Sequence, residues 1–183
     1  MSELIYTGIG ARDVPDDIGQ LQIQIAEAMA LKGYKLRSGA ADGSDHKFET
    51  GCLNVKGVGE IYLPWDGFKG KDRLIPTDNV LYILNHGQEG KAAKILIESG
   101  VCDYIDNVQK ATYHFFCRNV YQVLGETLDK PSNVVIYYAP EDYLQECMGG
   151  TRIAVNLARK RGITTKNLLH EKDREFVKKV LKL

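Results

Sequence analysis

No stretch of this chain approaches the roughly 20 consecutive apolar residues that a membrane-spanning helix needs. Its first residues, "MSELIYTGIGARD", lack the basic and apolar regions of a secretory signal. An excess of one charge is missing too. The 24 Lys and Arg balance 24 Asp and Glu, which argues against a long basic groove for nucleic acid. The four cysteines, Cys52, Cys102, Cys117 and Cys147, are widely spaced with no C-x-x-C pair, and they read as free thiols of a reducing compartment. His46, His86 and His170 stand at no metal-ligand spacing with one another or with a cysteine. Repeats, low-complexity segments and linkers are absent. These gaps leave one cytoplasmic domain over residues 1–183, with no membrane partner and no metal or cofactor implied.

What is present is an alternation of strand and helix. "ELIYTGIG" is apolar and β-branched before it turns to glycine, as a buried parallel strand does. Pro15, with Asp16 and Asp17 behind it, suits the positive end of a helix. Ile18, Leu21, Ile25, Ala28 and Met29 then recur at helical spacing up to Gly33. "YKLRS", "EIYLPW", "SNVVIYYAP" and "TTKNLL" are four further strands. "GSDHKFETG", with Ser44 or Asp42 as its cap, is a helix. "GQEGKAAKILIESG", "ATYHFFCRNVYQVLGETL", "GGTRIAVNLARKRGI" and "EKDREFVKKVLKL" are the others. Residues 66–87 read as irregular, punctuated by Gly67, Gly70, Pro76 and the pair Asn85-His86. The pattern predicts an α/β, Rossmann-like, doubly wound and mainly parallel sheet flanked by helices.

Such sheets bind ligands at the carboxyl ends of their strands. Three loops fall at that edge: "TGIGAR", "SGAADGSD" and "MGGTR". A strand-to-helix turn with glycine for close packing accounts for any one of them, while all three at one edge point to a site. Gly8, Gly10, Gly39, Gly43, Gly149 and Gly150 let backbone N–H groups approach a ligand. The helices beginning near Ser44 and Thr151 offer free N–H groups to an anion. Thr7, Ser38, Ser44 and Thr151 add hydroxyls, and Arg12 and Arg152 add charge. No G-x-x-x-x-G-K-[ST] run is present, which argues against a P-loop ATPase.

"RSGAADGSDHKFETG" resembles the SG-G-A-x-G-[AIS]-D motif of DprA/Smf-like proteins, with Ala40 in place of the second glycine. "GGTRIAVNLARKRGI" resembles their GGT-x-x-A-x-x-x-A-x-x-x-GI segment. "EIYLPW" and "RNVYQVLG…L…PSNVVIYYAP" extend the resemblance over Leu4 to Leu169. The group belongs to the wider SLOG superfamily, which includes the LOG phosphoribohydrolases. The resemblance implies a Rossmann-like fold, a nucleotide or single-stranded nucleic-acid ligand, and a homo-oligomer. The aromatic-rich "TYHFFCRNVYQVL" adds to that last expectation by offering more apolar surface than one face buries. LOG enzymes carry a glutamate three residues after the Thr of their glycine motif, where this chain has Ala154. That places LOG-type cleavage in doubt.

The remaining candidates carry two readings each. Asp42 and Asp45, three apart, either share a helix face as ribose ligand or general base, or simply cap and charge the helix end. Glu49 is a second catalytic candidate or a solvated carboxylate. His114, Arg118 and Gln122 form one helical stripe with Asn119 beside it. Arg118 and Asn119 close the site from above, or the stripe faces solvent. Trp65 stacks on a base or packs at the rim, and Arg159–Arg161 complement a helix end. Three functions fit: a nucleotide- or nucleic-acid-binding protein, a nucleotide N-glycosidic hydrolase, and a protein that senses or sequesters a nucleotide signal.

Overall fold

A computed structural model describes residues 3–71, 79–84, 87–144 and 146–183. Six strands, β1 (Ile5–Gly10), β2 (Lys35–Ser38), β3 (Gly59–Leu63), β4 (Val80–Leu84), β5 (Val134–Tyr138) and β6 (Thr164–Asn167), form one sheet. Their order is β4-β3-β2-β1-β5-β6, and every pairing is parallel. The helices are α1 (Asp16–Leu31), α2 (Ser44–Asn54), α3 (Glu89–Glu98), α4 (Lys110–Leu124), α5 (Thr151–Lys160) and α6 (Glu171–Leu181). The chain thus winds outward from β1 to β4, then returns to the other side of β1 through β5. That reversal is the topological switch point, and it lies between the carboxyl ends of β1 and β5.

Side chains alternate across the sheet, so each strand feeds two cores. Tyr6, Leu36, Ile61, Leu63 and Ile136 pack beneath α1, α2 and α6, with Ile25, Met29, Phe48 and Val177. Ile9, Tyr62, Val135 and Tyr137 pack beneath α3, α4 and α5, with Leu96, Val120, Ile153 and Leu157. On this second face Arg37 is buried, its Nε 2.8 Å from Glu60 Oε2 and its Nη1 2.5 Å from the Lys130 carbonyl. The pair ties β2 and β3 to the segment leading into β5.

Two sequence expectations change. Val80–Leu84 is a strand, inside the stretch read as irregular, whose Pro76 and Asn85-His86 lie outside the described residues. The run "VLYIL" is short and sits at the sheet edge with Leu81 exposed, so it lacks a central strand's fully buried pattern. Secondly, α4 has no apolar surplus. Phe116, Val120, Val123 and Leu124 enter one core, while Phe115 packs on Trp65 and Phe68. One of the two grounds for a homo-oligomer, the apolar surplus of this helix, is therefore absent; the other is the resemblance. Exposed apolar side chains stand elsewhere, at Phe176 and Val180 on α6. All four cysteines are unpaired and buried, and burial pushes the Cys117 and Cys147 thiols up to about 12. Among the described residues, no helix is long and apolar enough to cross a membrane.

Candidate ligand-binding cleft

The chain leaves β1 at Gly10 and turns outward. The Ala11 N–H donates to the Tyr138 carbonyl of β5 (2.7 Å), and the Ala11 carbonyl accepts from the Ser44 N–H (3.0 Å). The loops after β1, β2 and β5 are therefore laced together at the switch point. Gly43 makes the approach possible. It has φ +76°, and a Cβ there would lie 2.2 Å from the Arg12 carbonyl oxygen. Gly39 serves differently: a Cβ on it would lie 2.0 Å from Gln122 Nε2 and 2.9 Å from Arg118 Cζ. It clears room for two side chains of α4. Between them Ala40 is buried at φ +56°, a left-handed conformation that favours glycine. That explains why the resembling motif has glycine here. Ala40→Gly is expected to raise stability by about 1 kcal/mol, read as an upward shift in the thermal unfolding midpoint.

The first turn of α2 is not free to receive an anion. The N–H groups of Ser44 and His46 donate to the carbonyls of Ala11 and Ala41. The cap position is Gly43 with no side-chain cap, so neither Ser44 nor Asp42 caps the helix. The Asp45 carboxylate occupies the glycine nest instead. It is 3% exposed and accepts the Gly10 N–H at 3.1 Å. Burial pushes its carboxyl up to about 6, against the pull of Arg118 and of the backbone N–H groups of Gly10, Ala41 and Gly39.

Above this floor is a cleft of ≈ 540 Å³. One wall is Gly10 to Arg12 with Asp45, another is α4, and the third is Met148 to Thr151. The α4 wall is set by helical spacing: Phe115, Arg118, Asn119 and Gln122 share one side. Arg118 is 8% exposed. Its Nη1 donates to the Gly39 carbonyl (2.8 Å), its Nε has no partner, and its guanidinium lies 5.1 Å from the Phe115 ring centroid. Burial lowers its pKa, Asp45 opposes that, and Arg12 adds to it. Arg12 lies over the same Phe115 ring at 6.0 Å. Asn119 Nδ2 donates to the Gly150 carbonyl (2.8 Å) and pins the turn that starts α5. That turn is open, since a Cβ at Gly149 or Gly150 would meet nothing within 4 Å. The positive end of the α5 dipole is therefore presented to the cleft.

The structure thus gathers Gly10, Arg12, Asp45, Arg118, Asn119, Gly149, Gly150 and Thr151 on one cleft. Other candidates are structural. Thr7 is fully buried, donating to the Gln122 carbonyl at 2.6 Å with the Ser132 hydroxyl 2.8 Å away. Ser38 donates to the Gly8 carbonyl, and Gly8 leaves room for Phe48. Ser44 Oγ accepts from Gln22. Asp42 points outward to Lys69 rather than sharing a face with Asp45. Arg152 bonds the Tyr104 hydroxyl and is not on the cleft wall. Glu49 is neither solvated nor in the cleft; it is buried, accepting from Lys71 and Tyr82, both at 2.7 Å. Ala154 is in the core and offers no carboxylate. His114 is half-buried against Glu89, and Trp65 packs edge-on against Phe68 and Phe115. Sequence reasoning passed over Gln122 and Phe115 as site residues, although the stripe that includes Arg118 had placed Gln122 on the right side. Among the described residues no three His, Cys, Asp or Glu side chains come together to hold a metal.

No family model matches the chain, and no curated protein matches it. Solved structures do. A molybdenum cofactor (Moco) carrier protein from Chlamydomonas reinhardtii aligns with 98% of this chain and 84% of its own, at 16% identity and a TM-score of 0.53. DNA processing protein A (DprA) from Streptococcus pneumoniae aligns with 97% of this chain, at 14% identity and a TM-score of 0.51. The chain has the fold of these two proteins. It spans 56% of the DprA chain. At such identities the likeness establishes architecture, an α/β Rossmann-like sheet wound about a switch point, and the DprA-like resemblance read from the glycine motifs agrees with it.

Proposed function

We propose that the cleft binds a small phosphate-bearing nucleotide or a nucleotide-derived cofactor, with its phosphate at the N-terminus of α5. The observation that carries this reading is the conjunction of an open helix N-terminus at Gly149–Thr151 with a buried arginine, Arg118, whose Nε has no partner. A phosphate at that place receives N–H groups at the very start of α5, ahead of those of Arg152 and Ile153 that donate weakly to the Gly149 and Gly150 carbonyls (3.4 and 3.3 Å), and a charge-assisted bond from Arg118. A neighbour in fold is a carrier of the molybdenum cofactor and another processes DNA. The small ligand is favoured here because Arg12 and Arg118 are the cations among the described residues lining the cleft. Two cations do not track a long backbone.

Gly150→Val tests the site. Open space around Gly150 lets the variant fold, while its branched side chain stands where the phosphate binds. Calorimetry with nucleoside monophosphates is expected to show affinity reduced at least tenfold, and unchanged affinity overturns the reading. The same titrations across a salt series separate the ligand classes. A small ligand gives a log–log slope no steeper than about −1, whereas a single strand held by three to five phosphates gives about −2 to −4. Chromatography of the incubated nucleotide, showing free base, would instead assign Asp45 to hydrolysis.

A further inference from the structure

Gln122 is 1% exposed and lines the cleft, yet neither its Nε2 nor its Oε1 has a hydrogen-bond partner in the protein. Its backbone does not share this isolation, since the Gln122 carbonyl accepts from Thr7. The side chain fits only because residue 39 is glycine, where any Cβ would collide with Nε2. A buried amide with both groups idle is costly and rare in a folded protein. The room cleared for it at Gly39 shows that the position is built rather than left over.

Resting on the phosphate-binding reading above, we infer that Gln122 reads the heterocycle of the ligand, by pairing its amide with a ring edge that presents one donor and one acceptor side by side. A carboxamide is complementary to such an edge, and by turning about its last bond it accepts either order of the two groups. Gln122 follows Asn119 by three residues and Arg118 by four, on the same side of α4. The amide therefore lies roughly 5 Å along the helix from the residues that meet the α5 turn. That spacing suits a pentose between a phosphate at α5 and a base at Gln122. Phe115, one turn on the other side of Arg118, is already covered by two guanidinium groups. It is not the surface on which the base stacks.

The test compares ligands with and without a base. AMP, GMP, CMP, UMP and ribose 5-phosphate are titrated calorimetrically into the wild-type protein, Gln122→Leu and Gln122→Met, each checked for folding by circular dichroism. At least one nucleotide is expected to bind the wild type ten times more tightly than ribose 5-phosphate. Both variants are expected to erase that difference while holding ribose 5-phosphate within twofold of the wild-type affinity. A preference for the nucleotide that survives in both variants overturns the role of Gln122. Equal wild-type affinity for nucleotide and ribose 5-phosphate also overturns it, while leaving the phosphate site intact. If neither class binds the wild type, the phosphate-site reading fails and this inference fails with it.

Discussion

Replacing Arg118 with methionine is expected to lower stability by about 2–3 kcal/mol, the scale for losing a buried hydrogen bond from a charged group and leaving its acceptor unpaired. The same change should reduce affinity for a nucleoside monophosphate at least 100-fold. Three interactions go at once. The Gly39 carbonyl loses its donor at 2.8 Å, the Phe115 and Phe68 rings lose the guanidinium that lies over them, and the buried Asp45 loses its nearby positive charge. Methionine fills similar volume, so little of the effect comes from an empty cavity. Arg118→Lys should recover only part of either loss. An ammonium lacks the planar fork that bonds Gly39 while lying over an aromatic ring. Urea denaturation gives the stability and calorimetry the affinity. Stability within about 1 kcal/mol of wild type would show that Asp45 does not depend on Arg118.

The pH dependence of folding should carry the signature of Asp45. Its carboxyl is pushed up to about 6 in the folded protein, against about 3.9 in an unfolded chain. Between those values the folded protein holds more protons than the unfolded one. Stability therefore falls as pH rises from about 4 to about 6 and levels off above that. A shift of roughly two units corresponds to about 3 kcal/mol. Other groups titrate over the same range, so the quantity to follow is the difference between wild type and Asp45→Asn, measured by urea denaturation from pH 3.5 to 7.5. That difference should move by about 3 kcal/mol in favour of the variant as pH rises. A constant difference would mean that Asp45 titrates alike in the folded and unfolded chain, the pull of Arg118 and the backbone N–H groups cancelling the effect of burial.

Why the glycine loops were legible, and why the neighbours of several of their residues were not, follows from what each residue contributes. Gly39 and Gly43 mark places where the backbone or a side chain must come very close. Sequence shows that need without showing what approaches. At Gly43 it is the loop after β1, and at Gly39 it is Arg118 and Gln122 of α4, some 80 residues away in the chain. The nest of N–H groups is real, but Asp45 from the same loop fills it. The start of α5 is the more open of the two helix ends, since a Cβ on Gly149 or Gly150 would meet nothing within 4 Å.

By itself the sequence determined the parallel α/β layering, because strand and helix periods alternate along the chain and local apolar spacing reports which face is buried. It also determined that the loops at the carboxyl ends of β1, β2 and β5 would meet, since right-handed crossovers leave few other arrangements. Only the tertiary structure decided which polar side chains face inward. Thr7, Ser38, Ser44 and Glu49 are hydroxyls and a carboxylate like any others in sequence, and each is withdrawn into the protein by a partner distant in the chain. Burial also separated Asp42 from Asp45: one is exposed beside Lys69, and the other is enclosed with its carboxyl raised toward neutrality. Charge environment depends on what packs around a group in three dimensions, and no local pattern in the sequence contains it.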